Sequence, residues 1–427
     1  MFVIKLFSSA QSIKPQTTTA FTALWALGIL HLLNDTLQAV IPASFPILRP
    51  QLDLSFAQIG WTAFTLNATA SLFQPVIGWW IDARPRPYLL PVGMGFSILG
   101  MMLVGLANSF TTLAMAVFFI GVGSAMFHPE ASRITYLASG IKRGLGQSMF
   151  QVGGNTGQAL SPLWVALLFV PFGKHAAFWM VVPGMIAMII MLWLIRTFPM
   201  MGSVQSTASP ARATHKHRRA SSQQGVLNPD DTPAQDQRIQ KKRMVALMLL
   251  LGLIFARSWY HVGMSNFYAF YVIDRYGLSP RSAQLYLFLF LLSGALGTFL
   301  GGPLADRIGK KNVLFYSMLL SLPFSLLLPY LPPTGALMIV PLLGFILLSS
   351  FSVSVVYAQD LFPGHVGVTS GLTIGLAFGL GALGAVALGV LVDWIGITQT
   401  IIAMSFLPLL GLTASKLPDD NILKKWA

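Results

Sequence analysis

Cysteine is absent from all 427 residues. Disulfide frameworks, thiolate nucleophiles, cysteine-ligated zinc and iron–sulfur clusters are thereby excluded for this polypeptide, and the redox compartment cannot be read from it. Charge is scarce too: Asp, Glu, Lys and Arg make up 9% of the chain, where a soluble domain carries about 25%. Among the acids there is a single glutamate, Glu130. Hydrophobic residues, by contrast, supply 55% of the positions, and the mean hydropathy is +0.69. So little polar surface cannot cover a water-facing globule of this size, so lipid must surround most of the chain. A cytosolic enzyme and an ordinary secreted one are both excluded.

Uncharged apolar runs of about 20 residues, the length that crosses a bilayer, occur twelve times. They lie near 21–46, 57–81, 87–108, 111–138, 145–170 and 175–197, then near 244–272, 283–305, 312–331, 335–360, 367–395 and 397–415. The runs are too long for strands and lack their alternation, so the fold class is an all-α polytopic membrane protein. Residues 1–20 hold only Lys5 and Lys14 as charges and show no apolar core with a small-residue cleavage site, so no removable signal peptide is expected. With the N-terminus in the cytoplasm, 22 of the 27 Lys and Arg fall in cytoplasmic segments. Arg49, Lys174, Arg275 and Arg281 fall outside and Arg257 within a span. The positive-inside rule then places both termini in the cytoplasm. The net charge of +14, which in a soluble protein would suggest nucleic acid, instead orients the chain.

Five segments follow: a cytoplasmic tail over 1–20, a six-helix bundle over 21–197, a linker over 198–243, a second six-helix bundle over 244–415, and a tail over 416–427. The linker turns abruptly polar and carries His215-Lys216-His217-Arg218-Arg219 and Lys241-Lys242-Arg243. With no carboxylate near the two histidines, it reads as a solvated basic loop without chemistry.

The two halves repeat. After the second span the sequence runs GWWIDARPRPYLL and after the eighth GGPLADRIGKKNV, with Gly78 and Asp82 standing 224 residues before Gly302 and Asp306. Duplicated halves are a signature of transporter architecture. The pattern Gly-x-x-x-Asp-Arg-x-Gly followed by two basic residues resembles the loop hallmark of the major facilitator superfamily. The second copy matches throughout. In the first, Ala83 takes the Arg position, Arg84 follows one place late, and Pro85 and Pro87 replace the glycine turn. An Asp at a helix end accepts hydrogen bonds from a neighbouring helix N-terminus while an Arg pairs across the bundle, so Asp82, Arg84, Asp306 and Arg307 are candidate gate residues. HLLNDTLQAVIPASFPIL, FHPEASR, GQSMFQVGGNTGQALSP, QLYLFLF and VYAQDLFPGHVGVTSGL together resemble the fosmidomycin resistance group of that superfamily, over roughly 21–415. The resemblance implies a twelve-helix, two-bundle exporter of the inner membrane driven by inward proton flow.

Ionisable groups inside spans cost about 2.5–3.5 kcal/mol each on insertion scales, so they mark pathways or paired networks. Asp35 lies midway along the first span, with His31 four residues earlier on the same helical face. Glu130 sits beside His128 and Pro129 in the fourth. Arg257 occupies the middle of the seventh, with Tyr260 and His261 on its side. In the arrangement the resemblance implies, spans one, four, seven and ten line the cavity, so Asp35, Glu130 and Arg257 are expected to converge as a proton switch. Asp35 and Glu130 would couple protons, with His31 and His128 as relays; a static buried ion pair is the competing reading. Arg257, with Tyr260 and His261, would hold an anionic substrate. Gln74, Gln151 and Asn155 are candidate cavity-lining donors, or equally interhelical hydrogen bonders. Asp360 belongs to a cytoplasmic gate or to a solvated helix end.

Gly153, Gly154 and Gly157 in span five, and Gly371, Gly375, Gly379 and Gly384 in span eleven, favour close helix packing; surfaces that slide during transport are the alternative. The expected function is a proton-coupled antiporter exporting a small anionic antibiotic, fosmidomycin or a related phosphonate, from a monomer embedded in lipid. No metal, cofactor or nucleic-acid partner is expected, and no enzymatic activity. An uptake symporter for a sugar or organic acid is the alternative, a membrane-embedded enzyme the remote one.

Overall fold

The structure is a computed structural model and describes residues 19–83, 86–140, 142–198, 233–362 and 366–426. It is all-helical. The first half contains α1 (Phe21–Leu52), α2 (Phe56–Ala83), α3 (Leu89–Leu106), α4 (Phe110–Ala138), α5 (Leu145–Phe178) and α6 (Val181–Thr197). The second contains α7 (Pro233–Tyr276), α8 (Pro280–Ile308), α9 (Lys310–Leu327), α10 (Pro333–Leu361), α11 (Val366–Ile395) and α12 (Ile397–Lys416), followed by a short α13 (Asp420–Trp426). Among the described residues nine helices are long and apolar enough to cross a membrane, and Val181–Thr197 and Gly379–Ile395 are shorter apolar helices. In lipid every backbone N–H and C=O must be satisfied within its own segment, and apolar runs of this length meet that need only as helices. Starts are set locally: Ser109 and Thr112 form a capping box on α4, and Ser279 caps α8 with Pro280 at its first position.

Two differences from the sequence reading stand out. α7 begins at Pro233, so helix runs through Lys241-Lys242-Arg243 in the stretch read as linker; Gln, Lys and Arg are good helix formers. The stretch read as a C-terminal tail holds α13, which is bound to the second half. Lys310 Nζ reaches Asp360 at 2.9 Å and Asp420 at 4.0 Å, Lys311 Nζ reaches Asp419 at 2.9 Å, and the Lys310 backbone N–H donates to Asp420 at 3.0 Å. Tyr357 donates to the Pro418 carbonyl at 2.8 Å, and Arg243 donates to the Trp426 carbonyl.

Within the first half α1 packs along α5 and α4, and α4 along α2 and α3; within the second, α8 packs along α10, and α7 against α11 and α12. The halves meet along α2–α11 and α5–α8. The α2–α11 seam brings backbones together: a Cβ at Gly60 would stand 2.4 Å from the Ala385 carbonyl, and one at Gly389 2.3 Å from that of Phe56. At the face bearing the α1–α2 turn, Asp393 at the end of α11 accepts the Phe56 and Ala57 N–H groups at 2.9 and 2.7 Å, capping α2 from the other half. Arg49 lies 4.1 Å over the Phe56 ring, which stands 5.1 Å from that of Phe270 in α7. On the α5–α8 side, a π-helical stretch at Val165–Phe169 interrupts the α-helix, and the Ala166 carbonyl accepts from Arg281 at 3.3 Å. Gln284 of α8 donates to the Ala43 carbonyl of α1 at 2.9 Å, while its own buried carbonyl oxygen finds no hydrogen-bond partner among the described residues.

Candidate transport site

Asp35 is buried in the middle of α1. Its Oδ1 lies 3.4 Å from His31 Nε2, one turn earlier on the same helix, and 3.3 Å from His128 Nε2 on α4. Asn34 donates to the same oxygen at 3.1 Å, and Gln158 of α5 donates to Oδ2 at 2.9 Å. Three helices therefore hold one carboxylate. Each imidazole is tied from behind: His31 Nδ1 lies 2.7 Å from the Phe150 carbonyl, and His128 Nδ1 lies 2.9 Å from the Ser124 carbonyl. A carbonyl only accepts, so both Nδ1 atoms carry hydrogen and both Nε2 atoms turn toward Asp35. In the neutral rings those Nε2 atoms are bare lone pairs facing a carboxylate oxygen. That arrangement repels itself unless something positive is added.

The surroundings fix the rings. His31 stacks on Phe150 with centroids 4.0 Å apart and meets His128 edge-on at 5.1 Å. α5 makes room because it has glycine there: a Cβ at Gly154 would stand 2.5 Å from the His31 ring, and Cβ atoms at Gly153 and Gly157 would run into the Gly28 and Leu32 carbonyls of α1. The glycine face of α5 thus serves packing inside the first half. For span eleven, the side-chain surroundings of Gly371 and Gly375 lie outside the described residues, while Gly384 packs on Trp259.

Glu130 belongs to a different group. Its carboxylate is fully buried and takes a two-pronged pair from Arg133, at 2.6 Å from Nη2 and 2.8 Å from Nε. The sequence reading counted Arg133 with the cytoplasmic flank; the structure places it inside α4, one turn after Glu130, where that spacing puts both on one side. Arg257 belongs to a third group. Only 2% exposed, it faces the hydroxyls of Ser350 and Ser354 in α10 at 3.4 and 3.3 Å and the ring of Phe351 at 4.9 Å. Among the described residues no carboxylate pairs with it. Asp35, Glu130 and Arg257, expected to converge, are each held by different partners among the described residues.

The remaining candidates are dispersed. Tyr260 is buried and turns toward Ser325 of α9. His261 is half-buried, 5.8 Å from the Phe290 ring. Gln151 is exposed and donates to half-buried Asn155 at 3.2 Å, and Gln74 is half-buried on α2. Asp306 and Arg307 are exposed, and Asp360 pairs with Lys310. Arg84, the Asp82 side chain and the 215–219 cluster lie outside the described residues.

Comparison with known proteins decides the family. A model of the Major Facilitator Superfamily matches residues 27–382. The chain belongs to that superfamily. It is 48% identical over 417 residues to the MFS-type transporter YfnC of Bacillus subtilis, covering 97% of each chain. It is 41% identical over 405 residues to the fosmidomycin resistance protein of Escherichia coli, covering 94% of each. In fold it matches a bacterial homolog of the human lysosomal transporter Spinster in an inward-facing, occupied conformation, with a TM-score of 0.74, 16% identity, and 93% and 97% of the two chains covered. This major facilitator is a multi-pass membrane transporter and not an enzyme.

Several residues of the site escaped the sequence reading. Gln158 and Asn34 carried a weak signal, an amide inside an apolar run. Ser350 and Ser354 carried none, since serine is common in such helices. Asp393 was visible as an acid at a span end, but only the fold shows that it reaches the start of α2.

Proposed function

We propose that this protein is a proton-coupled antiporter that exports a small anionic antibiotic, fosmidomycin or a related phosphonate, across the inner membrane, with both termini in the cytoplasm. The observation that carries the reading is the division of charge between the halves: a carboxylate with two imidazoles in the first, and in the second a guanidinium without an acid partner among the described residues. The 41% identity to a protein named for fosmidomycin resistance supports the substrate class. Asp35 is the proton-binding carboxylate, with His31 and His128 sharing the proton. Arg257, facing two hydroxyls and a ring face, is the anchor for an anion. The face held shut by Asp393, Gln284 and Arg281 is the outer one, and rocking of the halves about the midplane opens it in turn. One net charge moving inward per cycle gains about 2.3 kcal/mol per 100 mV, enough for uphill efflux without a nucleotide.

The test is substrate-dependent proton movement in proteoliposomes. With the lumen acidified, external fosmidomycin should dissipate the pH difference in vesicles holding the wild-type protein and leave it intact with Asp35→Asn. Fosmidomycin exchange with no accompanying proton flux would sink the coupling. Unchanged fosmidomycin tolerance in a strain deleted for the gene would sink export, and favour uptake of another anion.

A further inference from the structure

The Asp35 cluster has a second property that depends neither on the substrate nor on the direction of transport. One ring nitrogen each from His31 and His128 and a carboxylate oxygen of Asp35 all lie within 4.8 Å of one another. The two imidazole-to-carboxylate distances are 3.4 and 3.3 Å. A tetrahedral zinc with bonds of about 2.0–2.1 Å to nitrogen and oxygen has ligand-to-ligand edges of about 3.3–3.4 Å. The observed separations are therefore those of two edges of a zinc polyhedron. As hydrogen bonds they are too long to be good ones.

The second layer agrees. A metal-bound histidine keeps its free nitrogen on a fixed acceptor, which sets the tautomer and aims the lone pair. Both imidazoles here do that, through the Phe150 and Ser124 carbonyls, and Gln158 holds the remaining oxygen of Asp35. The Phe150 ring and the Gly154 backbone lock His31. Access exists as well: the His31 and Asp35 side chains are 4% and 7% exposed, but that of His128 is 24% exposed. The cluster is therefore not sealed on the His128 side.

We propose that His31, Asp35 and His128 form a binding site for a single divalent first-row transition ion, with Zn²⁺ favoured by the ligand set. Calcium and magnesium are disfavoured, because they call for six or more oxygens and two of the three ligands are imidazoles. No metal is expected from the sequence, where His215 and His217 are the histidines weighed as metal ligands and His31 and His128 are weighed as proton relays. The triad comes together only when α4 is laid against α1.

The full-length protein in detergent is titrated with Co²⁺, a spectroscopic substitute, and with Zn²⁺ by calorimetry. The expected result is one ion per chain, with the intense visible bands of a tetrahedral cobalt centre. His128→Gln, at the open edge of the cluster and least disruptive to folding, should weaken binding by at least about tenfold to a hundredfold, the range lost on removing even an outer partner. Zn²⁺ should raise the melting temperature of wild type but not of His31→Ala or His128→Gln. A His215→Ala/His217→Ala double variant should bind as wild type does. Wild-type affinity kept in His128→Gln, binding lost in the His215/His217 variant, or no binding by wild type would overturn the site.

Discussion

Asp35 and Glu130 are both buried carboxylates on the helices of one half, yet they are held by different partners. Glu130 is answered by Arg133 in two-pronged geometry, a buried pair that ties successive turns of α4 together. Removing one member of such a pair strands the other, at a cost of about 3–5 kcal/mol. Glu130→Gln should therefore lower the melting temperature sharply, and Glu130→Gln/Arg133→Met should recover most of it; a thermal-shift assay on the two variants checks this. Asp35→Asn keeps the size of the side chain, so insertion and expression should be kept while proton-driven exchange is lost. Gly154→Ala sets a methyl against the His31 ring, and overpacking of this kind costs about 1–3 kcal/mol. It should damage transport and stability together, as read by transport assay and melting curve. At this scale the sequence was half legible. His31 and Asp35 share a face by spacing alone, but neither the partner of Glu130 nor the hydroxyls beside Arg257 can be read without knowing how the helices turn.

Helices were the most legible level, because an uncharged run of this length in lipid has one solution. What the runs do not encode is which helix lies against which. The α2–α11 seam depends on Gly60 and Gly389, two glycines among many, and on an acid that caps a helix hundreds of residues away in sequence. A charged cap at a helix start contributes about 0.3–1 kcal/mol where exposed, and Asp393 is exposed. Asp393→Ala should therefore shift the equilibrium between closed and open forms of that face several-fold toward open. Spin labels at the start of α2 and the end of α11 would report it as a longer distance population; an unchanged distribution would show that the cap is incidental. The extension of α7 and the existence of α13 were missed because polar, charged sequence signals loop and surface helix alike.

For the whole molecule, the repeat of Gly78 and Asp82 at Gly302 and Asp306 made the two-half design readable before any coordinates, and the family match agrees with it. Orientation is directly measurable, since a chain without cysteine needs no background substitutions. Asp53→Cys, in the α1–α2 turn, should react with an impermeant maleimide added to intact cells, whereas Asn421→Cys should react only after permeabilisation. The opposite pattern would invert the proposed topology. The fastening of the last residues has a mechanical consequence. Where the polypeptide enters the second half, at Arg243, it is tied to where it leaves, at Trp426, and residues 418–420 grip the α8–α9 turn and the end of α10. Those ties make the second half a closed hoop rather than an open row of rods, so a push delivered at any one helix is carried to the others as torque. Trimming the final dozen residues would cut the hoop, leaving each rod to yield separately where the intact half would swing as a single lever.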